Sequence, residues 1–236
     1  MRYRRMGNTG LEVSEIGFGC GGNAGLMLRG SPAEQTRIVA RALELGINYF
    51  DNAPDYGDGA AERNLGRALK ELAARPRLCS KVEIRAADRG DIAGHVVRSA
   101  EASLARLGVE RLDVLQIHNA PWHEDPRHEG KVYKRLSLDD YLRPGGALEG
   151  LERLRRDGKI GHAGFVTRGD DAELASRLFA TGAFGMINVP YTLLNPTAGH
   201  ARPAGLQVRN DGGRVLDRAC EAGVGLPSTA RCRAAF

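Results

Sequence analysis

Four ionisable side chains each lie at or near the end of a short apolar run, and together they are suited to reducing a carbonyl group. Asp51 and Tyr56 lie in the segment YFDNAPDYG, Lys81 lies in CSKV, and His118 ends DVLQIH. A phenol is a weak acid with an ordinary pKa of about 10, and a nearby ammonium group lowers that value. Tyr56 is therefore the candidate proton donor, and Lys81 is the residue that would tune its pKa.

The other two residues complete this chemistry. Asp51 would pair with Lys81 and keep its ammonium charged and oriented, and His118 would donate a hydrogen bond to the carbonyl oxygen. Taken singly, a lysine at a strand end is usually a surface residue, and a lone histidine is more often a structural hydrogen-bonding group. The occurrence of all four near the ends of three successive predicted strands favours the catalytic interpretation.

The chain alternates short apolar runs with helical patterns, which is typical of repeated βα units around a parallel sheet. We predict an α/β fold, a (β/α)8 TIM barrel that is incomplete, with about six full βα units after an N-terminal β-hairpin. The hairpin spans residues 2–14 and turns at 7–10. The predicted strands are Ile16–Gly19, Ile47–Phe50, Leu78–Val82, Leu112–Ile117, Ile160–Val166 and Met186–Val189, and Val224 opens a seventh. Side chains at the ends of such strands converge on one mouth of a barrel.

Two long segments, 120–146 and 196–213, interrupt the alternation and are predicted to be irregular. The first is charged and rich in proline, and it would lie at the catalytic face as a substrate-side loop. Its Trp122, Tyr133 and Tyr141 would either shape a substrate pocket or anchor the loop, and the sequence leaves both open. Asp170 is the predicted cap of the helix after the fifth strand.

These motifs resemble the aldo-keto reductases in order, spacing and context. Further matching segments are GNTGLEVS (7–14), GFGCG (17–21), SLARLG (103–108) and GKIGHAGF (158–165). The resemblance covers about residues 1–225. It implies a TIM barrel, NADP(H) or alternatively NAD(H) as the cofactor, and an aldehyde, ketone or sugar as the small-molecule substrate. By position, it assigns Asp51, Tyr56, Lys81 and His118 to the catalytic tetrad.

The same resemblance implies a cofactor site. Thr167 and Arg168 stand where the family usually has a Ser-Asn pair beside the nicotinamide carboxamide, and Asn188 stands where it usually has a Gln. Asp51 is assigned to the cofactor site as well as to the tetrad. Threonine keeps a hydroxyl, but arginine has no acceptor and does not replace asparagine in that respect.

The resemblance stops at Leu226. Residues 226–236 show neither strand alternation nor a helical stripe, so we expect one domain over residues 1–236 that is truncated at its C-terminus and ends in an atypical tail. Such a barrel would expose two strand edges, through which it could self-associate. The alternative to an active reductase is a non-catalytic remnant or a binding subunit of the same fold.

Composition argues against several other classes. The 34 basic and 29 acidic residues are interspersed, as on an ordinary solvated surface, and the net charge is +5. No apolar run approaches the ~18 residues of a membrane span, and no nucleic-acid-binding signature is present. The basic N-terminus is not followed by a signal-peptide pattern, so we expect a cytoplasmic protein.

The cysteines and histidines predict neither a disulfide framework nor a metal site. The four cysteines are widely spaced and form no C-x-x-C pair, which fits a reducing compartment. His118, His123 and His128 recur every five residues, a spacing that fits no single face of a helix or strand. We therefore expect no bound metal.

Overall fold

The computed structural model describes residues 1–21, 25–123, 135–169, 171–208 and 210–229. Its N-terminal part confirms the predicted hairpin, in which β1 (Tyr3–Arg5) pairs antiparallel with β2 (Glu12–Ser14). A 3₁₀ turn over Gly7–Thr9 leads to Gly10, which has a φ of 74°. This left-handed conformation is costly for a residue with a Cβ, which explains the glycine at that position.

One curled parallel sheet forms the centre of the fold. The strands after the hairpin are β3 (Phe18–Gly19), β4 (Tyr49–Asp51), β5 (Arg77–Val82), β6 (Leu112–Ile117), β7 (Ala120–Trp122), β8 (Arg135–Ser137), β9 (Ile160–Val166), β10 (Phe184–Pro190) and β11 (Ser228–Thr229). Apart from β7 and β8, which pair with each other, they form a seven-stranded sheet in the order β3-β4-β5-β6-β9-β10-β11. Neighbouring strands are all parallel and follow one another along the chain, as in a TIM barrel.

The predicted fold class is thus confirmed, as a half-barrel. Within the residues that the structure describes, β3 and β11 are the two edges of the sheet and do not pair with each other. The sheet therefore has the strand order of a barrel in this part of the chain without its closure.

Helices connect the strands. They are α1 (Pro32–Glu44), α2 (Ala60–Glu71), α3 (Ile92–Leu107), α4 (Leu138–Leu142), α5 (Ala147–Arg156), α6 (Ala172–Phe179) and α7 (Val215–Glu221). Local sequence sets their ends: Ser31 caps α1 in a reciprocal capping box with Glu34, and Gly108 ends α3 in the left-handed conformation. No helix in the described ranges has the length and apolar composition needed to cross a bilayer.

The hairpin covers the amino end of the sheet. Met6, just before its turn, packs with four side chains that β4, β5, β6 and β10 direct into the interior. These are Tyr49, Cys79, Val114 and Met186. The carboxyl ends of the same strands lie at the opposite mouth, where the predicted polar residues are found.

The segment 120–146 contains regular structure, which corrects the prediction of an irregular loop. β7 pairs with β8, and α4 follows directly. The hydroxyl of Tyr141 is buried and donates to the carbonyl of Asn119, while Arg135 lies 3.7 Å from the ring centre of Trp122. The sequence left open whether these aromatic residues shape a pocket or anchor the segment. The contacts of Trp122 and Tyr141 anchor it. Tyr133 lies outside the described residues.

Two elements begin at other residues than predicted. Val224 does not open a strand, because Gly225 forms only an isolated bridge with Met186 and β11 begins at Ser228. Asp171 takes the N-cap position of α6, and the predicted cap Asp170 lies outside the described residues. The same holds for residues 230–236 of the tail.

Candidate active site

The four predicted catalytic residues meet at the carboxyl ends of adjacent strands. Asp51 is the last residue of β4, Lys81 is the penultimate residue of β5, and His118 directly follows β6. The backbone N–H of His118 donates to the carbonyl of Val82 at 2.7 Å, which continues the sheet by one residue. Tyr56 reaches this group from the loop between β4 and α2.

Lys81 is buried at the centre of the group, with 1% of its surface exposed. Its ammonium donates to Oδ1 of Asp51 and, at 2.6 Å, to the backbone carbonyl of Asn52. Burial is the largest single effect on the pKa of Lys81 and lowers it, but Asp51, Tyr56 and Cys79 together outweigh burial, and the pKa is raised. Lys81 therefore stays charged at neutral pH, and the catalytic role of Asp51 stays a prediction.

The hydroxyl of Tyr56 lies 3.4 Å from the ammonium of Lys81. Burial raises the pKa of Tyr56 above its ordinary value, Lys81 acts against this rise, and Asp51 adds to it. Taken alone, Lys81 lowers the pKa of Tyr56, which is the predicted direction. The net shift of this pKa is upward, because the effect of desolvation is larger. Gly21 lies against this ring, since a Cβ there would stand 3.1 Å from Cζ.

His118 meets acidic side chains that the sequence patterns did not indicate. Its Nδ1 lies 3.2 Å from Oδ1 of Asp55, and its ring packs edge-on to Tyr56 with the ring centres 6.2 Å apart. One potential ligand atom from each of Asp55, Glu83 and His118 lies within 4.8 Å of the others. A signal for Glu83 was present, because residues two apart on a strand share a face and Lys81 precedes it by two.

This trio is the one cluster of three or more potential metal ligands found among the described residues. A histidine nitrogen with carboxylate oxygens is a donor set that zinc and related divalent cations accept. Of the three evenly spaced histidines, the cluster includes only His118, and His128 lies outside the described ranges. The expectation of no metal stays a prediction.

Besides Asp51, the three positions assigned to the cofactor lie at the ends of β9 and β10. The hydroxyl of Thr167 donates to the backbone carbonyl of Asn188 at 3.2 Å, and Nη2 of Arg168 donates to the carbonyl of His118 at 3.4 Å. The side chain of Asn188 turns towards the tetrad, where Nδ2 donates to Oδ2 of Asp51 at 2.9 Å. The structure therefore brings Asn188 into direct contact with the tetrad and places Arg168 beside it.

Oδ1 of Asn188 and Nδ2 of Asn52 are buried at this mouth and have no hydrogen-bond partner within the described part of the chain. Leaving a buried amide group unsatisfied is costly. A bound molecule with a donor and an acceptor would remove that cost. A small cavity of about 90 Å³ opens next to Thr167 and Arg168.

Taken together, the mouth presents a protonated phenol, a fixed ammonium and an imidazole side by side. Such a set can bind a polar oxygen atom and exchange a proton with it. The paired ammonium would stabilise the phenolate that is formed when the proton leaves.

The sequence model of the Aldo/keto reductase family matches residues 15–199. The chain is 34% identical over 124 residues to an Arabidopsis thaliana protein named "Probable voltage-gated potassium channel subunit beta", covering 50% of this chain and 37% of that protein. It is 30% identical over 170 residues to the L-galactose dehydrogenase of Arabidopsis thaliana, covering 70% of this chain and 48% of that enzyme. The chain thus aligns with about half or less of the length of these relatives.

Among solved structures, an aldo-keto reductase from Bacillus halodurans in its holo form superposes on this chain with a TM-score of 0.72. The sequences are 24% identical, and the match covers 97% of this chain and 65% of that one. At this level of identity, the likeness shows the fold.

Proposed function

Because this chain belongs to the aldo/keto reductase family, we propose that it transfers a hydride between NADP(H) and the carbonyl group of an aldehyde, ketone or sugar. NAD(H) is the alternative cofactor. The observation that carries this proposal is the contact of the buried Lys81 with Asp51 and Tyr56 at the carboxyl ends of the strands. An ammonium 3.4 Å from a phenol is an arrangement suited to protonating a nascent alkoxide.

Tyr56 acts as the general acid in the direction of reduction. When bound, the nicotinamide supplies the hydride that the carbonyl carbon receives. As negative charge grows on the carbonyl oxygen, the phenol of Tyr56 gives its proton to that oxygen, and Lys81 stabilises the phenolate. The raised pKa of Tyr56 keeps the phenol protonated before each turnover. In the direction of oxidation, the phenolate takes the proton from the alcohol.

Asp51 and His118 support this transfer. Asp51 keeps Lys81 charged and fixes its position. Nδ1 of His118 lies 3.2 Å from Oδ1 of Asp55, so Nε2 is the ring nitrogen that would face the substrate oxygen. A doubly protonated ring donates from both nitrogens, so that form of His118 would polarise the carbonyl.

The residues near Asn188 fit a nicotinamide. Oδ1 of Asn188 is a buried acceptor to which none of the described residues donates. The carboxamide of a nicotinamide carries an NH₂ group, which is the donor that this atom lacks. The neighbouring Thr167 and Arg168 would contact the same end of the cofactor, with Arg168 as a donor to the carboxamide oxygen.

Titration of the purified chain with NADPH and with NADH, followed by quenching of its single tryptophan, tests the cofactor step. We expect saturable binding, and then NADPH-dependent reduction in a panel of aldehydes, ketones and sugars. The named relative makes L-galactose the first sugar to test in the direction of oxidation. A folded protein that binds neither cofactor would contradict the proposal.

A binding subunit without turnover is the second candidate. It is favoured by the match to a protein named as a potassium channel subunit. In that case the chain would bind NADPH with the same affinity in wild type and in Tyr56→Phe, and neither protein would turn over any substrate of the panel. Substrate-dependent NADPH oxidation by the wild type alone would exclude it.

The proposal extends to location and assembly. Cys20, Cys79 and Cys220 are free thiols, which fits a reducing compartment such as the cytoplasm. Unpaired edges such as those of β3 and β11 in the described sheet can pair with other chains, which supports self-association. Sedimentation over a range of concentrations would then show a rising mass, and a constant monomer mass would contradict it.

A further inference from the structure

One hydrogen bond connects two strand ends that are far apart in the sheet. β10 and β4 are separated by three strands, yet Nδ2 of Asn188 donates to Oδ2 of Asp51 at 2.9 Å. Asn188 is buried, with 3% of its surface exposed. The bond therefore spans the mouth of the half-barrel. It connects two strands that do not pair with each other in the sheet.

The chemistry of this pair determines which atoms meet. An ionised carboxylate has no donor, so the NH₂ group of Asn188 must face Asp51, and the amide oxygen must face away. The other oxygen of Asp51 accepts from Lys81. Asn188 is itself held in place, because its backbone carbonyl accepts from the N–H of Thr167 at 2.9 Å and from its hydroxyl at 3.2 Å.

We propose that Asn188 is a positioning residue that holds Asp51, and through Asp51 the ammonium of Lys81, in the arrangement that proton transfer from Tyr56 needs. This inference rests on the proposed carbonyl reduction. The two ends of the Asn188 amide then serve different partners: the NH₂ group orients Asp51, and the oxygen is left for the cofactor. Cofactor binding and the geometry of the tetrad therefore depend on one side chain.

Asn188→Asp tests the contact with little change of shape. The variant keeps an acceptor in the place of Oδ1, removes the donor and puts a second carboxylate against Asp51. Two adjacent buried carboxylates raise the pKa of one of them in the folded state. Stability is then lost as the pH rises past the ordinary aspartate pKa of about 4. We expect Tm to fall by about 5 °C or more at pH 8, and by less at pH 5.

Other ionisable groups also face this pair. Lys81 and Cys79 from β5, Tyr49 from β4, Tyr56 from the loop after β4 and Cys20 after β3 interact electrostatically with Asp51. Asp55, His118 and Arg168 lie next to this group. All of them are present in both proteins. The difference in Tm between wild type and variant therefore reports the added carboxylate.

The exchange Asp51→Asn with Asn188→Asp provides the test of contact. The double variant again has one carboxylate and one amide facing each other, so it should recover most of the Tm lost by Asn188→Asp. Residues in contact give such non-additive effects, whereas independent sites add. A Tm loss in the double variant equal to the sum of the single losses would overturn the inference, and so would an unchanged Tm in Asn188→Asp.

Kinetics separate positioning from cofactor binding. Asn188→Asp should lower kcat by about 10- to 100-fold. The Kd for NADPH should stay within about threefold, since the acceptor is kept. Asn48→Asp is the matched control. Asn48 immediately precedes the amino end of β4, away from the tetrad, and its side chain is hydrogen-bonded to the backbone of Ser14 and Glu12. It should leave kcat at the wild-type value.

The two proposals fail differently. A change in the Kd for NADPH with an unchanged kcat would overturn the positioning role and leave the reductase proposal intact. Non-additive Tm losses in the single and double variants would support the Asn188–Asp51 contact. If the wild type also showed no turnover, the reductase proposal would be overturned while that contact stood.

Discussion

Two layers of side chains fill the interior of the sheet, and they differ in chemistry although the same strands supply both. The layer at the amino end contains Tyr49, Cys79, Val114 and Met186. Two residues further along three of these strands stand Asp51, Lys81 and Asn188. Residues two apart on a strand face the same side. On these three strands, an advance of two residues therefore leads from an apolar layer to a layer of hydrogen-bonded polar and charged side chains.

The difference follows from what lies over each end of the strands. The N-terminal hairpin covers the amino end, and Met6 packs into it, so that layer contributes apolar burial. At the other end, the buried ammonium of Lys81 and the amide of Asn188 both donate to the carboxylate of Asp51. We infer that the first layer serves stability and the second serves chemistry.

Tyr56→Phe should give the largest effect on chemistry. Loss of the hydroxyl removes the proton donor, so we expect kcat to fall by about 10²–10⁴-fold. The Kd for NADPH should stay unchanged because the ring remains. Steady-state kinetics and fluorescence titration of the same preparation measure both quantities. Retention of full activity would show that another group delivers the proton.

Lys81→Met should affect both chemistry and stability, because it removes a buried ammonium and leaves Asp51 without its cation. We expect kcat to fall by about 100-fold. The free energy of unfolding should fall by about 3 kcal/mol or more. Lys159→Met is the matched control, since Lys159 pairs with Glu101 at the surface. Equal losses of stability in the two variants would contradict the central place given to Lys81.

Met186→Ala tests the apolar layer. Removing this fully buried side chain should lower the free energy of unfolding by about 2–5 kcal/mol. The kcat per folded molecule should stay within about twofold of wild type, because no bond to the tetrad is removed. Denaturant unfolding and active-site-normalised kinetics give the two values, and Leu193→Ala, at a fully exposed position, is the control. A large loss of kcat would show that the two layers are coupled.

The effect of pH on the kcat for oxidation should be the smallest of these effects. It tests how the polar layer sets the pKa of Tyr56. Oxidation needs the phenolate, and burial raises the pKa of Tyr56 despite the ammonium of Lys81. The kcat for oxidation should therefore rise with pH and still be rising at the ordinary phenol pKa of about 10. A plateau reached below pH 8 would mean that Lys81 outweighs burial when the cofactor is bound.

Local patterns explain why much of the site was predictable. Asp51, Lys81 and His118 each end or follow a run of strand-forming residues, so their neighbours alone placed them at strand ends. Asp55 and Glu83 went unnoticed because acidic residues near loops are common on surfaces. The two-residue spacing from Lys81 is a sequence signal for Glu83, whereas only the approach of its loop to His118 distinguishes Asp55.

The sequence by itself determined the alternation of strands and helices, the hairpin and the positions of Asp51, Lys81 and His118 at strand ends, because each depends on residues close in the chain. Only the tertiary structure decided that desolvation prevails over Lys81 in the pKa of Tyr56 and that Asn188 turns to a carboxylate 137 residues away. Both depend on how segments far apart in sequence exclude water and approach one another. The periodicity of a single strand carries no information about either.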